Sequence, residues 1–226
     1  MRVLAIIPAY NEEGCLASTV NEFISTCPDI DYLIVNDGSS DQTEKICTER
    51  GFNHVTHSVN LGLTAGFQTG CQYALAHDYD ALIQFDADGQ HVPSFIADMV
   101  DAMERDNADI VIGSRFVDES KPFSARMIGS RLITSLIKIT CGNTISDPTS
   151  GMRLFNRRLI SEFASRFDFG PEPDSIAYLM RQGAKVSEVQ VHMRERQTGE
   201  SYLNAWKSIA YMARTCMSIL FVQWFR

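Results

Sequence analysis

The stretch A-L-I-Q-F-D-A-D-G-Q-H, residues Ala81 to His91, decides how the rest of the chain is interpreted. Its first five residues are mostly apolar and predict an interior strand, and Gly89 with Pro93 predicts a turn after it. Asp86 and Asp88 are therefore expected at the carboxyl end of a strand, where open α/β sheets bind ligands. Because strand residues two apart share a side, we expect the two carboxylates to converge on one cation.

Carboxylate oxygens suit Mg2+ or Mn2+, ions that keep coordination sites open for water and for the phosphate oxygens of a substrate. Gln90 follows two residues after Asp88, and its amide oxygen is a candidate third ligand. An ordinary acidic turn is the alternative interpretation when the stretch is taken alone. The side chains at the other strand ends distinguish a metal site from an ordinary turn.

Composition places the chain among globular proteins. It has 226 residues, a formal net charge of -8, 45% hydrophobic residues and 21% charged residues. A nucleic-acid partner is not expected, because binding by phosphate neutralisation needs a basic face. The six cysteines form no C-x-x-C pair, which favours reduced structural thiols over disulfides or zinc.

Strands and helices alternate along the chain with short connections, which predicts a parallel, doubly wound α/β sheet with right-handed crossovers. The predicted strands are Val3 to Ile7, Tyr32 to Val35, the region of Val55, Ala81 to Phe85, Ile110 to Ile112 and Val186 to Val191. Asn11 is predicted to cap the first helix, and Ser40 or Asp41 the second. Residues 147–153 are predicted to be a turn-rich loop that leads into a helix near Arg157.

The predicted strand ends carry acidic and polar side chains where many nucleotide-binding proteins carry glycine patterns. The first strand leads into P-A-Y-N-E-E with no G-x-G-x-x-G, and the chain contains no G-x-x-x-x-G-K-[ST]. Dinucleotide-binding and P-loop folds are therefore excluded. An edge that carries Glu12, Asp37, Asp86 and Asp88 suits a metal and a nucleotide recognised by its base and ribose.

Five signatures now stand in order: P-A-Y-N-E-E at 8–13, N-D-G-S-S-D at 36–41, F-D-A-D-G-Q-H at 85–91, G-S-R at 113–115 and D-P-T-S-G-M-R at 147–153. Together they resemble family-2 glycosyltransferases and are most similar to the dolichyl- and polyprenyl-phosphate sugar synthases. The resemblance covers nearly the whole chain. It implies the GT-A fold of nucleotide-diphospho-sugar transferases, with a mostly parallel central sheet flanked by helices, and an inverting, metal-dependent glycosyltransferase of the hexosyltransferase type.

The resemblance also implies roles for individual residues. The expected nucleotide-sugar contacts are Pro8, Tyr10, Glu12, Asp37, Asp86, Ala87 and Asp88, and the expected ligands of Mg2+ or Mn2+ are Asp86, Asp88 and Gln90. The expected catalytic residues are Asp88, Arg115, Asp147, Asp174 and Arg196. Arg115 and Arg196 would face phosphate groups. Arg196 lies in R-x-x-G-x-S, after which many relatives carry Lys where this chain has Tyr202.

Two acceptors remain open. A polyprenyl phosphate needs no base, because a phosphate monoester with a second pKa of about 6 is largely ionised at neutral pH. A hydroxyl of a cell-surface polysaccharide, or of its lipid-linked precursor, needs a carboxylate base within hydrogen-bond reach, and Asp174 or Glu172 is the candidate. Both carboxylates also fit a plain structural role at the N-terminus of a helix.

Two other classes of protein are less well supported. A nucleotidyltransferase would carry a glycine- and lysine-rich phosphate loop near residues 8–20, and this chain does not. A non-catalytic nucleotide-sugar-binding or scaffold protein is opposed by the presence of Asp86, Asp88, Arg115 and Arg196. Structural interpretations also compete at single positions: a solvated side chain for Arg153, Arg194 and Arg196, and a structural role for His54, His57, His77, His91 and His192.

Residues 203–226 are predicted to form an amphipathic C-terminal helix that follows a catalytic domain at residues 1–202. Its expected apolar face is Trp206, Ala210, Ala213, Met217, Leu220, Phe221 and Trp224, which recur at steps of three and four. Lys207 and Arg214 interrupt the run, so we expect the helix to lie in a membrane interface and not to span it. Residues 181–226 carry seven basic and three acidic side chains. The helix from about Arg126 to Cys141 is a second candidate contact, and packing on the domain's own core is the alternative for both.

The expected partners are therefore a nucleotide-diphosphate sugar donor, a lipid-phosphate acceptor, and a membrane surface or a membrane-protein subunit. Because the predicted first strand starts at Val3, we expect no signal peptide. We expect a cytoplasmic protein that is peripherally associated with the cytoplasmic face of the membrane.

Overall fold

A computed structural model describes residues 1–166, 169–195 and 205–221. The strands in these residues are β1 (Val3–Ala9), β2 (Asp31–Asn36), β3 (His54–Thr56), β4 (Ala81–Gln84), β5 (Ile110–Ser114), β6 (Arg153–Asn156) and β7 (Val186–Gln190). The helices are α1 (Leu16–Thr26), α2 (Thr43–Glu49), α3 (Leu63–Ala76), α4 (Phe95–Asp106), α5 (Ala125–Cys141), α6 (Arg157–Ser165), α7 (Pro173–Arg181) and α8 (Ala205–Leu220).

The seven strands form one sheet in the order β3-β2-β1-β4-β6-β5-β7. Strands β1 to β4 pair in parallel, and so do β5 and β7, whereas β6 runs antiparallel to both of its neighbours. The predicted α/β architecture with a mostly parallel sheet is confirmed. Because β1, β2 and β4 are parallel neighbours, their carboxyl ends meet along one edge, where the segments at 8–13, 36–41 and 85–91 lie.

Strand β6 is absent from the sequence prediction, which places a loop at 147–153 and a helix directly after it. Its four residues, R-L-F-N, contain two adjacent apolar side chains and are too few to show strand alternation. In the structure Leu154 pairs with Ile83 of β4 and with Val111 of β5, and it is fully buried. The sheet therefore gains a central antiparallel strand that brings the 147–153 loop to the end of β4.

Helices cover both faces of the sheet. Apolar residues of α1 and α4 form the core on one face, and those of α3, α5, α6, α7 and α8 form it on the other. Phe67, Phe155 and Phe163 meet edge to face with ring centroids 5.0–5.4 Å apart in the second core. Burying a side chain of this size stabilises the fold by roughly 1.5–3 kcal/mol. The two cores hold the sheet rigid beneath the loops at its edge.

Asn11 does not cap the first helix, which is a correction to the sequence prediction. Helix α1 begins at Leu16 with no side-chain cap, and Asn11 has a φ of 55°. Its Oδ1 accepts the Ser40 backbone N–H at 2.8 Å. Asn11 therefore joins the loop after β1 to the loop after β2. Asp41 does accept the Thr43 N–H at 2.9 Å, at the start of α2.

Helix α8 packs on α5 and α7. One side of it is buried through Thr215, Cys216, Ser218 and Ile219. Those residues of the expected apolar face whose side chains are described, Ala210, Ala213, Met217, Leu220 and Phe221, are all exposed on the other side. Trp224 lies outside the described residues. Among the helices of the described ranges, none has both the length and the apolar character that crossing a bilayer requires.

Candidate active site

The acidic segment after β4 is a turn. The strand ends at Gln84, so strand alternation does not orient the two carboxylates as the sequence prediction assumed. Instead, Asp88 Oδ1 accepts the Gln90 backbone N–H at 3.0 Å, and the Thr19 hydroxyl of α1 donates to the Ala87 carbonyl at 3.1 Å. Asp88 is buried, whereas the Asp86 side chain is 33% exposed. Asp86 is therefore the more accessible of the two carboxylates.

The donor atoms at this turn fit a hard divalent cation. The side-chain nitrogen of Gln90 donates to the Arg194 carbonyl at 3.3 Å, which leaves the amide oxygen for a cation. Within the described residues, no group of three or more His, Cys, Asp or Glu side chains is arranged to hold a metal. Mg2+ is usually held by one or two carboxylates together with substrate phosphates. Asp86, Asp88 and Gln90 therefore suit an ion that is shared with a bound diphosphate.

The segment at 8–13 leaves the sheet beside this turn. Pro8 pairs with Val35 inside the sheet, and Tyr10 is exposed at the surface. The Glu12 backbone N–H donates to the Thr43 hydroxyl at 2.9 Å, and a Glu12 carboxylate oxygen accepts the Cys15 thiol at 3.1 Å. The predicted nucleotide contacts of the first signature thus lie at the carboxyl end of β1, next to those of β2.

Asp37 holds the loop at 57–62. Its Oδ1 accepts the Leu61 N–H at 2.9 Å and contacts His57 Nδ1 at 2.8 Å, and its Oδ2 accepts the Gly62 N–H at 2.7 Å. Burial tends to raise the pKa of Asp37, but the hydrogen bonds from Leu61, His57 and Gly62 outweigh it and hold the pKa below its ordinary value. A carboxylate has about four acceptor positions. Three are used inside the protein, so at most one remains for a base.

The backbone at position 38, directly after Asp37, accepts only glycine. Its φ is 65°, and a Cβ at this position would lie 2.4 Å from the Val59 carbonyl carbon. The loop at 57–62 therefore approaches the backbone of N-D-G-S-S-D too closely for any side chain.

Arg115 and Asp147 form a bidentate ion pair. Arg115 Nε donates to Asp147 Oδ2 at 2.6 Å, and Nη2 donates to Oδ1 at 2.9 Å. Asp147 is fully buried and also accepts the Thr149 hydroxyl at 3.0 Å. Burial tends to raise the pKa of Asp147, but the hydrogen bonds and charge of Arg115 outweigh it and hold the pKa low. The two predicted catalytic residues are thus brought together as a pair.

Arg153 is buried, so the interpretation of this residue as a solvated cation is wrong. It opens β6 opposite Gln84, and its Nη2 donates to the Pro148 carbonyl at 2.7 Å. Its Nε is buried with no hydrogen-bond partner among the described residues. Burial lowers the pKa of the guanidinium, and the negative charges of Glu172, Asp147 and Asp86 act against this effect.

Two other arginines of the C-terminal region have different positions. Arg194 donates from both terminal nitrogens to the two carboxylate oxygens of Glu22, each at 2.7 Å, on the protein surface. Its backbone N–H donates to the Gln90 carbonyl at 2.9 Å, which ties the segment after β7 to the acidic turn. Arg196 and the R-x-x-G-x-S signature lie outside the described residues.

Glu172 and Asp174 lie at the start of α7, where α7 packs against α8. The Tyr211 hydroxyl donates to Glu172 Oε2, and the Ser218 hydroxyl donates to Asp174 Oδ2 at 2.5 Å. Burial, followed by the charge of Glu172, raises the pKa of Tyr211. Both candidate bases therefore accept a hydrogen bond from a hydroxyl of the C-terminal helix.

Two histidines have contacts that the sequence analysis did not anticipate. His57 bonds Asp37, and His91 accepts the Asp86 backbone N–H on Nδ1 at 2.9 Å. The sequence alone favours a structural role for both, because the histidines share no ligand spacing. The available signal was that His91 follows Asp86 within one turn, but the direction of its side chain depends on that turn.

Comparisons with known proteins agree on one family. The model of the family described as Glycosyl transferase family 2 matches residues 4–163. An undecaprenyl-phosphate mannosyltransferase of Micrococcus luteus is 32% identical over 217 residues, which cover 90% of this chain and 88% of that protein. A polyprenol monophosphomannose synthase of Mycolicibacterium smegmatis is 30% identical over 217 residues, with coverage of 90% and 81%.

A solved structure has the same fold. Glucosyl-3-phosphoglycerate synthase from Mycobacterium tuberculosis, in complex with Mn2+, UDP and glucosyl-3-phosphoglycerate, matches with a TM-score of 0.67 at 19% identity. The match covers 98% of this chain and 79% of that one. The predicted GT-A fold is thereby confirmed.

Proposed function

This chain belongs to glycosyl transferase family 2, and on that premise we propose that it moves a sugar from a nucleotide-diphosphate sugar to a polyprenyl phosphate. The observation that carries the proposal is identity of 32% and 30%, over 90% of the chain, to two proteins named for polyprenyl-phosphate mannosyl transfer. The transfer is a single displacement that inverts the anomeric centre.

The donor occupies the edge formed by β1, β2 and β4. Pro8, Tyr10 and Glu12 border the nucleotide, and Asp37 offers its remaining acceptor position to the base. Asp86, Asp88 and Gln90 would hold Mg2+ or Mn2+, which would supply positive charge to stabilise the leaving diphosphate. This assignment is supported by the placement of all these residues on one edge and by the oxygen donors at the acidic turn.

The acceptor phosphate needs cations and no base. At neutral pH a phosphate monoester is largely ionised, because its second pKa is about 6, and it attacks the anomeric carbon directly. Arg115, held in place by Asp147, and Arg196 bind phosphate oxygens in this proposal. Arg115 keeps its position because the carboxylate fixes two of its nitrogens, while the side chain as a whole remains partly exposed.

Transfer to a sugar hydroxyl, with Asp174 or Glu172 as base, is not favoured. The two relatives named above act on polyprenyl phosphates by name. In addition, hydroxyls of α8 occupy both carboxylates, which gives each of them a structural role.

The exposed apolar side of α5 and α8 supports peripheral contact with a membrane. Phe123 precedes α5 with 88% exposure, and Ile139 near its end has 77%. Ile128 and Leu132 of α5, Met217 and Leu220 of α8, and Phe221 directly after α8 are also exposed. Apolar patches of this kind, next to basic side chains such as Arg131 and Arg214, suit an anionic lipid surface. The lipid acceptor reaches the site from that surface.

The direct test supplies purified protein with membranes, Mg2+ or Mn2+, and a panel of radiolabelled nucleotide sugars. Label from one sugar is expected in the lipid extract, and chelation of the divalent ion should abolish its appearance. Label that enters polysaccharide while the lipid extract remains unlabelled would contradict the proposal.

A further inference from the structure

Three groups outside the expected ligand set surround the Asp86 carboxylate. Gln84 donates its side-chain Nε2–H to Asp86 Oδ1 at 3.0 Å. His91 Nε2 lies 3.6 Å from Asp86 Oδ2. Gly151 leaves open the space beside the same oxygen. Both oxygens of the accessible carboxylate therefore have a protein group on one side.

His91 is hydrogen-bonded at one ring nitrogen and faces the Asp86 carboxylate with the other. Nδ1 accepts the Asp86 backbone N–H at 2.9 Å, so the proton of the neutral ring lies on Nε2, the nitrogen that faces Asp86 Oδ2. The ring is buried and meets the Phe85 ring edge to face with centroids 5.6 Å apart. One buried imidazole thus binds the backbone of Asp86 and lies beside its carboxylate.

Gly151 brings the loop before β6 against the same carboxylate. A Cβ at Gly151 would lie 2.8 Å from Asp86 Oδ2 and 3.4 Å from His91 Cε1. Neither neighbour can easily give way, because His91 is buried and Gln84 holds the other oxygen of Asp86. Glycine is therefore required at this position for the carboxylate to keep its orientation.

We propose that His91, Gln84 and Gly151 position the Asp86 carboxylate for the divalent cation. The inference rests on the proposed function, which places the cation at Asp86. These are positioning residues, because they act through Asp86 and do not touch the substrate. Groups that orient a metal-binding side chain typically change metal affinity or activity by about 10- to 100-fold when they are replaced.

The experiment measures Mn2+ binding to the full chain by electron paramagnetic resonance, with and without UDP, together with the melting temperature. His91→Asn keeps an acceptor near the Nδ1 position and loses the group that faces Oδ2. Gly151→Ala crowds Oδ2 from the opposite loop. Both variants are expected to bind Mn2+ about 10- to 100-fold more weakly, and excess Mn2+ should restore kcat. Gly66→Ala is the matched control, because its Cβ would meet Val35 Cγ1 at an ordinary 3.8 Å.

The outcomes separate the inference from the proposed function. Wild-type affinity for Mn2+ in both folded variants would overturn the inference and leave the proposed function intact. If one variant fails to fold, the other decides by the same criterion. Absence of Mn2+ binding by the wild type, even with UDP, would overturn the metal assignment and the inference with it.

Discussion

The guanidinium of Arg115 and the carboxylate of Asp147 form a bidentate ion pair, with N–O distances of 2.6 and 2.9 Å. The aspartate is fully buried and the arginine side chain is 22% exposed, so the pair joins the interior to the site. Arg115 directly follows β5, and Asp147 lies in the loop before β6. The pair therefore fixes the loop that carries Gly151 relative to the end of β5, where the predicted phosphate-binding arginine lies.

Asp147→Asn should lower the free energy of unfolding by about 3 kcal/mol, because removing one partner of a buried ion pair leaves the other without its counter-charge. Urea denaturation measures the change. Asp106→Asn is the matched control, since Asp106 pairs with Arg105 on the surface and such pairs contribute little. Equal changes in the free energy of unfolding for the two substitutions would show that the Asp147 pair stabilises the fold no more than a surface pair does.

Stability should fall in acid through Asp37 and Asp147, whose pKa values both lie below the ordinary value. The unfolded chain, with Asp pKa near 3.9, binds protons first as pH falls. Their contribution is therefore present above about pH 4 and is lost as pH drops through the lower folded pKa values. Urea midpoints between neutral pH and pH 3 measure the slope, which Asp147→Asn should flatten. An unchanged slope in that variant would contradict the assignment.

The sequence predicts the residues at the strand ends well, because parallel strands bring their carboxyl ends to one edge. Pro8, Asp37 and Asp86 are found at that edge for this reason. Strand β6 was missed because four residues cannot show periodicity. The burial of Arg153 was missed for the same reason. Arg153 is buried because it belongs to β6, whereas a residue in the predicted loop would be expected in solvent.

Partners that are distant in sequence set the rest of the site. No local pattern relates Asp174 to Ser218 or Glu172 to Tyr211, because those contacts form when α8 packs on α7. The hydrophobic spacing of the tail does predict which of its described side chains are exposed. It does not predict that the opposite side packs on the protein's own helices, because an amphipathic helix suits both a membrane interface and a contact with other helices.

Asp88→Asn should abolish turnover while the protein stays folded, because one carboxylate fewer weakens the hold on the cation that stabilises the leaving diphosphate. Initial rates with saturating Mg2+ or Mn2+, alongside circular dichroism, measure both properties. Full activity of the variant, or of the wild type in excess chelator, would contradict the assignment of a metal at this site.

Glu172→Gln and Asp174→Asn should reduce kcat by less than about tenfold, since loss of an essential base costs about 100- to 10,000-fold. Tyr211→Phe should lower stability by about 2 kcal/mol, because it leaves a carboxylate without its hydrogen bond. Single-turnover rates and urea denaturation separate the two effects. A collapse of kcat for Asp174→Asn in folded protein would favour a hydroxyl acceptor.

The double substitution Met217→Ser and Phe221→Ser should weaken binding to anionic vesicles without unfolding the protein, since both side chains are exposed. Wild-type binding should itself weaken with salt, because each basic residue near the surface contributes about 1 kcal/mol. Vesicle co-sedimentation measures both effects. Ile24→Ser on α1, an exposed apolar residue away from α5 and α8, is the control. Equal binding by the double variant and the wild type would remove this surface from the mechanism.

In the proposed reaction the attacking group is a lipid phosphate. A decisive measurement supplies purified protein with the accepted nucleotide sugar and compares a polyprenyl phosphate with the polyprenol of the same chain length. We expect a sugar-phosphate-lipid product from the polyprenyl phosphate and none from the polyprenol. Transfer to the polyprenol at a comparable rate, or to neither lipid while a sugar hydroxyl is glycosylated, would contradict it.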